Sequence, residues 1–97
     1  MARNEPVTLA IGVWTQLTNA NAAALRAQNQ GTNEALLSAT VGATPPVSRN
    51  GSINLRSGET LAADLTIAQL WPGVAGANRI YAFSDFGTVL SVSHADA

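Results

Sequence analysis

Short stretches in which apolar and polar residues alternate, separated by turn-forming residues, recur along the whole chain. A period of two is typical of strands that bury one face, because successive side chains point to opposite sides of a strand. About seven such stretches occur, with turn signals roughly every 8–12 residues. The pattern predicts an all-β protein, an antiparallel β-sandwich of jelly-roll-like or barrel-like form, with one short helical turn.

The N-terminal region predicts an arm followed by a long first strand. Residues 1–6 are polar and end at Pro6, so we expect a flexible arm that could pair with a neighbour's sheet edge. Residues 7–17 have the composition of a strand, with a bulge or bend expected at Gly12. Residues 7–97 are expected to form a single β-sandwich domain, since the chain has the length of one domain.

The alanine-rich residues 22–28 are compatible with a helix or a strand. A helix beginning at Ala22 would have little room before Gly31, so a strand is favoured. The loop of residues 29–33 is rich in asparagine and glycine, which tolerate a positive φ. We therefore expect a hairpin in which residues 34–41 run back beside this strand.

Two more turn signals occupy the middle of the chain. Residues 42–50 include two consecutive prolines and predict a loop or an extended edge. Asn50-Gly51 is the strongest hairpin signal, because both central residues of a type I′ turn need a positive φ. A strand is expected over residues 52–56, with a further turn at Gly58.

A capping-box pattern predicts the helical turn. Thr66 precedes Gln69 by three residues, the spacing at which each side chain can bond to the other residue's backbone N–H. Pro72 cannot continue a helix, so the turn is expected over residues 67–71. The preceding residues 60–65 fit no single element.

The C-terminal region predicts the last two strands. Residues 79–84 alternate, with Ile80 and Ala82 on one face. Residues 84–87 contain turn-forming aspartate and glycine, and residues 88–93 are expected to run back as a second strand.

Charge and composition narrow the classes of partner. Charged residues make up 11% of the chain, with five arginines, no lysine and a net charge of −1. Nucleic-acid binders neutralise phosphates with clustered basic residues, so nucleic acid is not an expected partner. No apolar run reaches the roughly 18 residues of a membrane-spanning helix, so no membrane is expected either. A surface this poor in charge favours contact with protein, including further copies of the chain.

The residues needed for common catalytic and metal sites are scarce. The absence of cysteine excludes disulfides and thiolate chemistry, and the single histidine, His94, is expected at the surface or at an interface. Asp64 and Asp85 are the nearest approach to a carboxylate pair, but turn and cap roles are favoured for both. We therefore expect no enzyme activity, no catalytic residues, no metal and no cofactor.

Aromatic residues offer the remaining candidates for function. Core packing is favoured for Trp14 and Trp71, and the alternatives are an aromatic anchor at a subunit contact or a platform on which a sugar stacks. The residues singled out as interface or ligand contacts are Trp14, Trp71, Phe86, Arg3 and Pro6.

Five segments taken in order carry a family resemblance. They are Val-Trp-Thr-Gln-Leu at 13–17, Gln-Asn-Gln-Gly-Thr-Asn at 28–33, Gly-Glu at 58–59, Arg-Ile-Tyr-Ala-Phe-Ser at 79–84 and Val-Leu-Ser-Val-Ser at 89–93. Together they resemble the small β-sandwich structural proteins of tailed bacteriophages and of phage-like gene transfer agents.

The resemblance implies a virion component that is synthesised in the cytoplasm of the host bacterium. The expected function is that of a capsid-decorating or head-spike protein that self-assembles symmetrically, as a trimer or pentamer, and contacts other virion proteins. The alternative that it implies is a tail-fibre or baseplate module that binds host carbohydrate. The family pattern contains no catalytic residues.

Overall fold

A computed structural model describes residues 3–18, 21–49, 51–61 and 66–96. In these ranges the protein is all-β, with two antiparallel sheets packed together and one short helix. The first sheet has the strand order β1-β8-β3-β6, and the second has the order β2-β7-β4-β5. In chain order the elements are β1 (Arg3–Thr8), β2 (Thr15–Gln16), β3 (Ala22–Asn29), β4 (Ala35–Thr40), β5 (Ile53–Leu55), β6 (Thr60–Leu61), α1 (Ile67–Leu70), β7 (Arg79–Phe83) and β8 (Val89–Asp96). The predicted all-β sandwich is confirmed.

The core lies between the sheets and is built from alternate residues of the strands. Many of its side chains are small, because alanines occupy several inward positions of both sheets. The largest apolar side chains that are completely buried are Leu17, Leu25, Leu37, Ile67, Ile80, Leu90 and Val92. Few large side chains fill this core. We therefore expect that truncating any one of the four leucines in this list to alanine lowers the free energy of unfolding by about 2–5 kcal/mol.

Residues 22–28 are strand, as favoured, and not helix. They belong to β3, in which Leu25, Ala27 and Asn29 are buried and Arg26 is exposed. This alternation fits a strand that packs one face on the core. β3 pairs with the last strand, β8, and the pairing is irregular between Ala22 and Leu25.

The predicted hairpins at residues 29–33 and 84–87 are wrong. β3 and β4 lie in different sheets, and so do β7 and β8. The two connections, residues 30–34 and 84–88, have five residues each, a length that also permits a hairpin, but both cross from one sheet to the other. Turn-forming residues show that the chain reverses, but not which sheet receives the next strand.

The long first strand predicted for residues 7–17 is also divided between the sheets. β1 ends at Thr8 in the first sheet, and β2 begins at Thr15 in the second. The predicted bend at Gly12 is confirmed, since its φ of 69° lies in the left-handed region that glycine tolerates.

Residues 3–6 are part of β1, so the expectation of an N-terminal arm is wrong for them. Arg3 pairs with His94, and Pro6 pairs with Ser91. β1 is an edge strand, where a proline can be accommodated because one side of the strand needs no N–H donor. The rest of the predicted arm, residues 1 and 2, lies outside the described residues.

Residues 41–49 form a loop and contain no strand. A hairpin at Asn50-Gly51 would need a strand there to pair with the residues after the turn, so the predicted hairpin is not formed. β5 pairs instead with β4, the strand before the loop. The N–H of Ser52 donates to the Arg49 carbonyl at 3.3 Å, and Gly51 has a φ of 75°, while Asn50 lies outside the described residues. The turn predicted at Gly58 is present, with a φ of 83°.

The capping box is confirmed. The Thr66 hydroxyl accepts from the Gln69 N–H at 3.2 Å, and the Gln69 side-chain oxygen accepts from the Thr66 N–H at 2.8 Å. The helix α1 ends at Leu70, two residues before Pro72, and packs on the core through the buried side chain of Ile67. Of the unassigned residues 60–65, the first two form β6 and the others lie outside the described part.

The fully buried side chain of Asn29 joins two loops and the end of β5 at one end of the sandwich. Its Nδ2 donates to the carbonyls of Asn33, at 2.7 Å, and Leu55, at 2.9 Å. Its Oδ1 accepts from the Gly31 N–H at 3.1 Å and from the Thr88 hydroxyl at 2.8 Å. The amide nitrogen donates two hydrogen bonds and the amide oxygen accepts two. These four bonds compensate for the burial of the polar side chain.

We predict that Asn29→Ala lowers the free energy of unfolding by about 2–4 kcal/mol, because it leaves several buried groups without partners. Urea denaturation followed by circular dichroism measures this change. Gln30→Ala is the matched control: its side chain is exposed, and its loss should change stability by less than about 0.5 kcal/mol. Equal effects of the two substitutions would contradict the role of Asn29.

Candidate functional site

A tight turn at residues 84–87 presents two side chains to solvent. The Ser84 hydroxyl accepts from the Gly87 N–H at 3.0 Å, and Gly87 has a φ of 82°. This closure places Asp85 and Phe86 at the outside of the turn, and Phe86 is 76% exposed. An aromatic side chain left in solvent to this extent is a candidate for contact with a partner or ligand.

Residues 11–14 run beside this turn and add apolar side chains to it. Ile11 forms a β-bridge with Ser84, and the Gly12 N–H donates to the Ser84 carbonyl at 2.9 Å. Ile11 is 69% exposed and Val13 is 55% exposed. We call the surface formed by Ile11, Val13 and Phe86 the apolar patch.

Arg49, in the loop of residues 41–49, contacts the turn at residues 84–87. Its guanidinium lies 4.3 Å from the centre of the Phe83 ring, and it donates to the two carboxylate oxygens of Asp85 at 2.8 and 3.4 Å. Trp14 packs against the Phe83 ring, with centroids 5.3 Å apart and planes tilted by 50°. These contacts fix the border of the apolar patch, because the bidentate pairing restricts both charged side chains.

A polar pocket of about 330 Å³ lies between the turn at 84–87 and the loop at 30–34. It is lined by Thr32, Asn33, Glu34, Asp85 and Phe86. Asn33 joins its two walls, since its Nδ2 donates to the Gly87 carbonyl at 2.7 Å. The Glu34 carboxylate accepts from the Asn54 amide at 2.7 Å.

The structure brings only some of the candidate contact residues to this site. Trp14 and Phe86 lie there. Trp71 does not, because its ring is in the core, where the indole N–H donates to the Gly51 carbonyl at 2.9 Å. Arg3 and Pro6 belong to β1 in the other sheet, and Pro6 is exposed.

His94 is buried within its own chain, so the expectation of a histidine at the surface or at an interface is wrong. β8 continues to Asp96, and His94 falls on the same alternating face as Leu90 and Val92. Asp85 lies in a turn as predicted and pairs with Arg49, whereas Asp64 lies outside the described residues.

The described residues form neither a cluster of metal ligands nor a membrane-spanning helix. No group of three or more histidine, aspartate or glutamate side chains is arranged to hold a metal ion. None of the helices in the described part is long and apolar enough to cross a membrane.

Two residues that shape the pocket and its border, Arg49 and Asn33, have no recognisable signal in the sequence. Arg49 comes from an irregular loop and meets Asp85 only because that loop folds back across the second sheet. The position of Asn33 in an asparagine-rich turn predicts a hairpin tip, and its spacing in the sequence does not indicate its contact with Gly87.

We predict that Asn33→Ala lowers the free energy of unfolding by about 1 kcal/mol and speeds amide hydrogen exchange at Gly87, because the turn loses its tie to the neighbouring loop. NMR-detected exchange measures the second effect. Thr32→Ala removes an adjacent exposed side chain and should change neither quantity. Unchanged exchange at Gly87 in Asn33→Ala would show that the turn keeps its conformation without this hydrogen bond.

The comparisons with known proteins leave the family open. No protein-family model matches the chain, and neither curated proteins nor solved structures gave a match. The likeness to structural proteins of tailed phages therefore stays a prediction from the sequence.

Proposed function

We propose that this protein is a virion structural component, a capsid-decorating or head-spike protein that self-assembles symmetrically and contacts other virion proteins. The observation that carries the assembly part of this proposal is the apolar patch, in which Ile11, Val13 and Phe86 are each more than half exposed. Burying apolar surface of this kind drives most protein–protein association. The family resemblance supplies the virion context.

The sheet edges offer less to a partner than the patch does. β1 contains Pro6, which lacks the N–H that an added strand would need. The other described edge strands are short, with two residues in β2, three in β5 and two in β6. Short edges and proline both disfavour pairing with a second chain, so side-chain contact at the patch is the better route to assembly.

Charge at the border supports the same proposal. Only 11% of the residues are charged, so a partner would have few charged groups to desolvate. Arg49 and Asp85 already pair with each other beside the patch. A fixed ion pair at the rim of an interface contributes to orientation more than to affinity.

We predict that the protein is a trimer or pentamer at high concentration and that Val13→Glu weakens this association at least about tenfold, because it places a charge in the patch. Size-exclusion chromatography with light scattering measures the mass. Val47→Glu is the matched control, since Val47 is fully exposed in the loop after β4 and is not one of the three patch residues. A strictly monomeric wild type, or equal effects of both substitutions, would contradict the proposal.

One observation favours a second candidate function, a tail-fibre or baseplate module that binds host carbohydrate. Phe86 stands at the pocket beside hydrogen-bonding side chains of both pocket walls. An exposed ring next to convergent polar groups is a combination that suits a sugar, which has both C–H faces and hydroxyl groups.

A further inference from the structure

Three polar side chains of the pocket lining make hydrogen bonds to other parts of the protein. Glu34 is held by Asn54 at 2.7 Å, and Asp85 by Arg49 at 2.8 Å. Asn33 is held by the Gly87 carbonyl at 2.7 Å. Because these groups are already positioned, binding would cost less conformational entropy than in a loose site.

The chemistry of the lining selects the class of ligand. Two carboxylates supply hydrogen-bond acceptors and repel an anion, so acidic ligands are disfavoured. The charge of Asp85 is already balanced by Arg49, which weakens the attraction for a cation. A neutral ligand with several O–H donors remains, and the exposed ring of Phe86 offers it an apolar face.

We propose that this pocket is a binding subsite for a neutral sugar ring. The C–H face of the sugar stacks on Phe86, and its hydroxyls donate to the carboxylates of Glu34 and Asp85. The volume of about 330 Å³ suits a single ring more than a long oligosaccharide, being near the lower limit of common ligand pockets. This inference rests on the second candidate function, and it adds the ligand class and the contact residues.

NMR titration of the full chain with methyl glycosides of glucose, galactose, mannose and N-acetylglucosamine tests the inference. At least one of these should give saturable shifts at the backbone amides of Asn33, Glu34, Asp85 and Phe86. Phe86→Ala should weaken that binding at least about tenfold, whereas Phe86→Tyr, which keeps the ring, should retain it. Phe86 is largely exposed, so thermal unfolding of both variants should match the wild type.

Each other outcome of this titration contradicts either the subsite, the neutral ligand or the second candidate function. Saturable shifts elsewhere that persist in Phe86→Ala would refute this subsite and leave carbohydrate attachment standing. Binding only of the methyl glycoside of N-acetylneuraminic acid, or only of N-acetylarginine amide, at these amides would refute a neutral ligand. No saturable shift with any saccharide would refute both the subsite and the second candidate function, without affecting the assembly proposal.

Discussion

The buried side chain of Asn29 is the constraint on which the end of the sandwich depends. The chain crosses between the sheets at the loop after β3 and again before β8, so no hairpin ladder holds these loops together. One amide replaces the missing ladder, because it bonds to the loop at 30–34, to Leu55 and to Thr88. The packing there is close: a Cβ on Gly31 would lie 1.9 Å from the Thr88 hydroxyl oxygen, so this position requires glycine. In a core rich in alanine, such a polar network specifies the loops more strongly than apolar packing alone.

The same network extends to the candidate site. Asn29 holds the carbonyl of Asn33, and the Asn33 amide in turn holds the carbonyl of Gly87. The turn that presents Phe86 is therefore positioned by a buried group two contacts away. Arg49 secures the opposite side of the turn through Asp85. These hydrogen bonds restrict the turn, and a restricted surface loses less entropy when it meets a partner or a ligand than a free loop does.

Local features of the fold could be predicted from the sequence, whereas its long-range features could not. The strand at 22–28 follows from alternation, and the helical turn follows from the spacing of Thr66 and Gln69, both of which depend on neighbouring residues. The sheet crossings depend on which core face each strand joins, which a turn sequence does not encode. Burial of His94 followed from a strand longer than expected, and the pairing of Arg49 with Asp85 spans 36 positions. Phe86 was found as a candidate because it lies in a turn that the sequence makes evident.

In the proposed function, the protein acts through the surface formed by residues 11–14 and the turn at 84–87. The most direct measurement is hydrogen–deuterium exchange of the native protein in dilute and in concentrated solution. We expect assembly at high concentration to protect the amides of these two segments and to leave the outer face of the first sheet unchanged. Protection confined to the outer face of the first sheet, or no protection at any concentration, would contradict it.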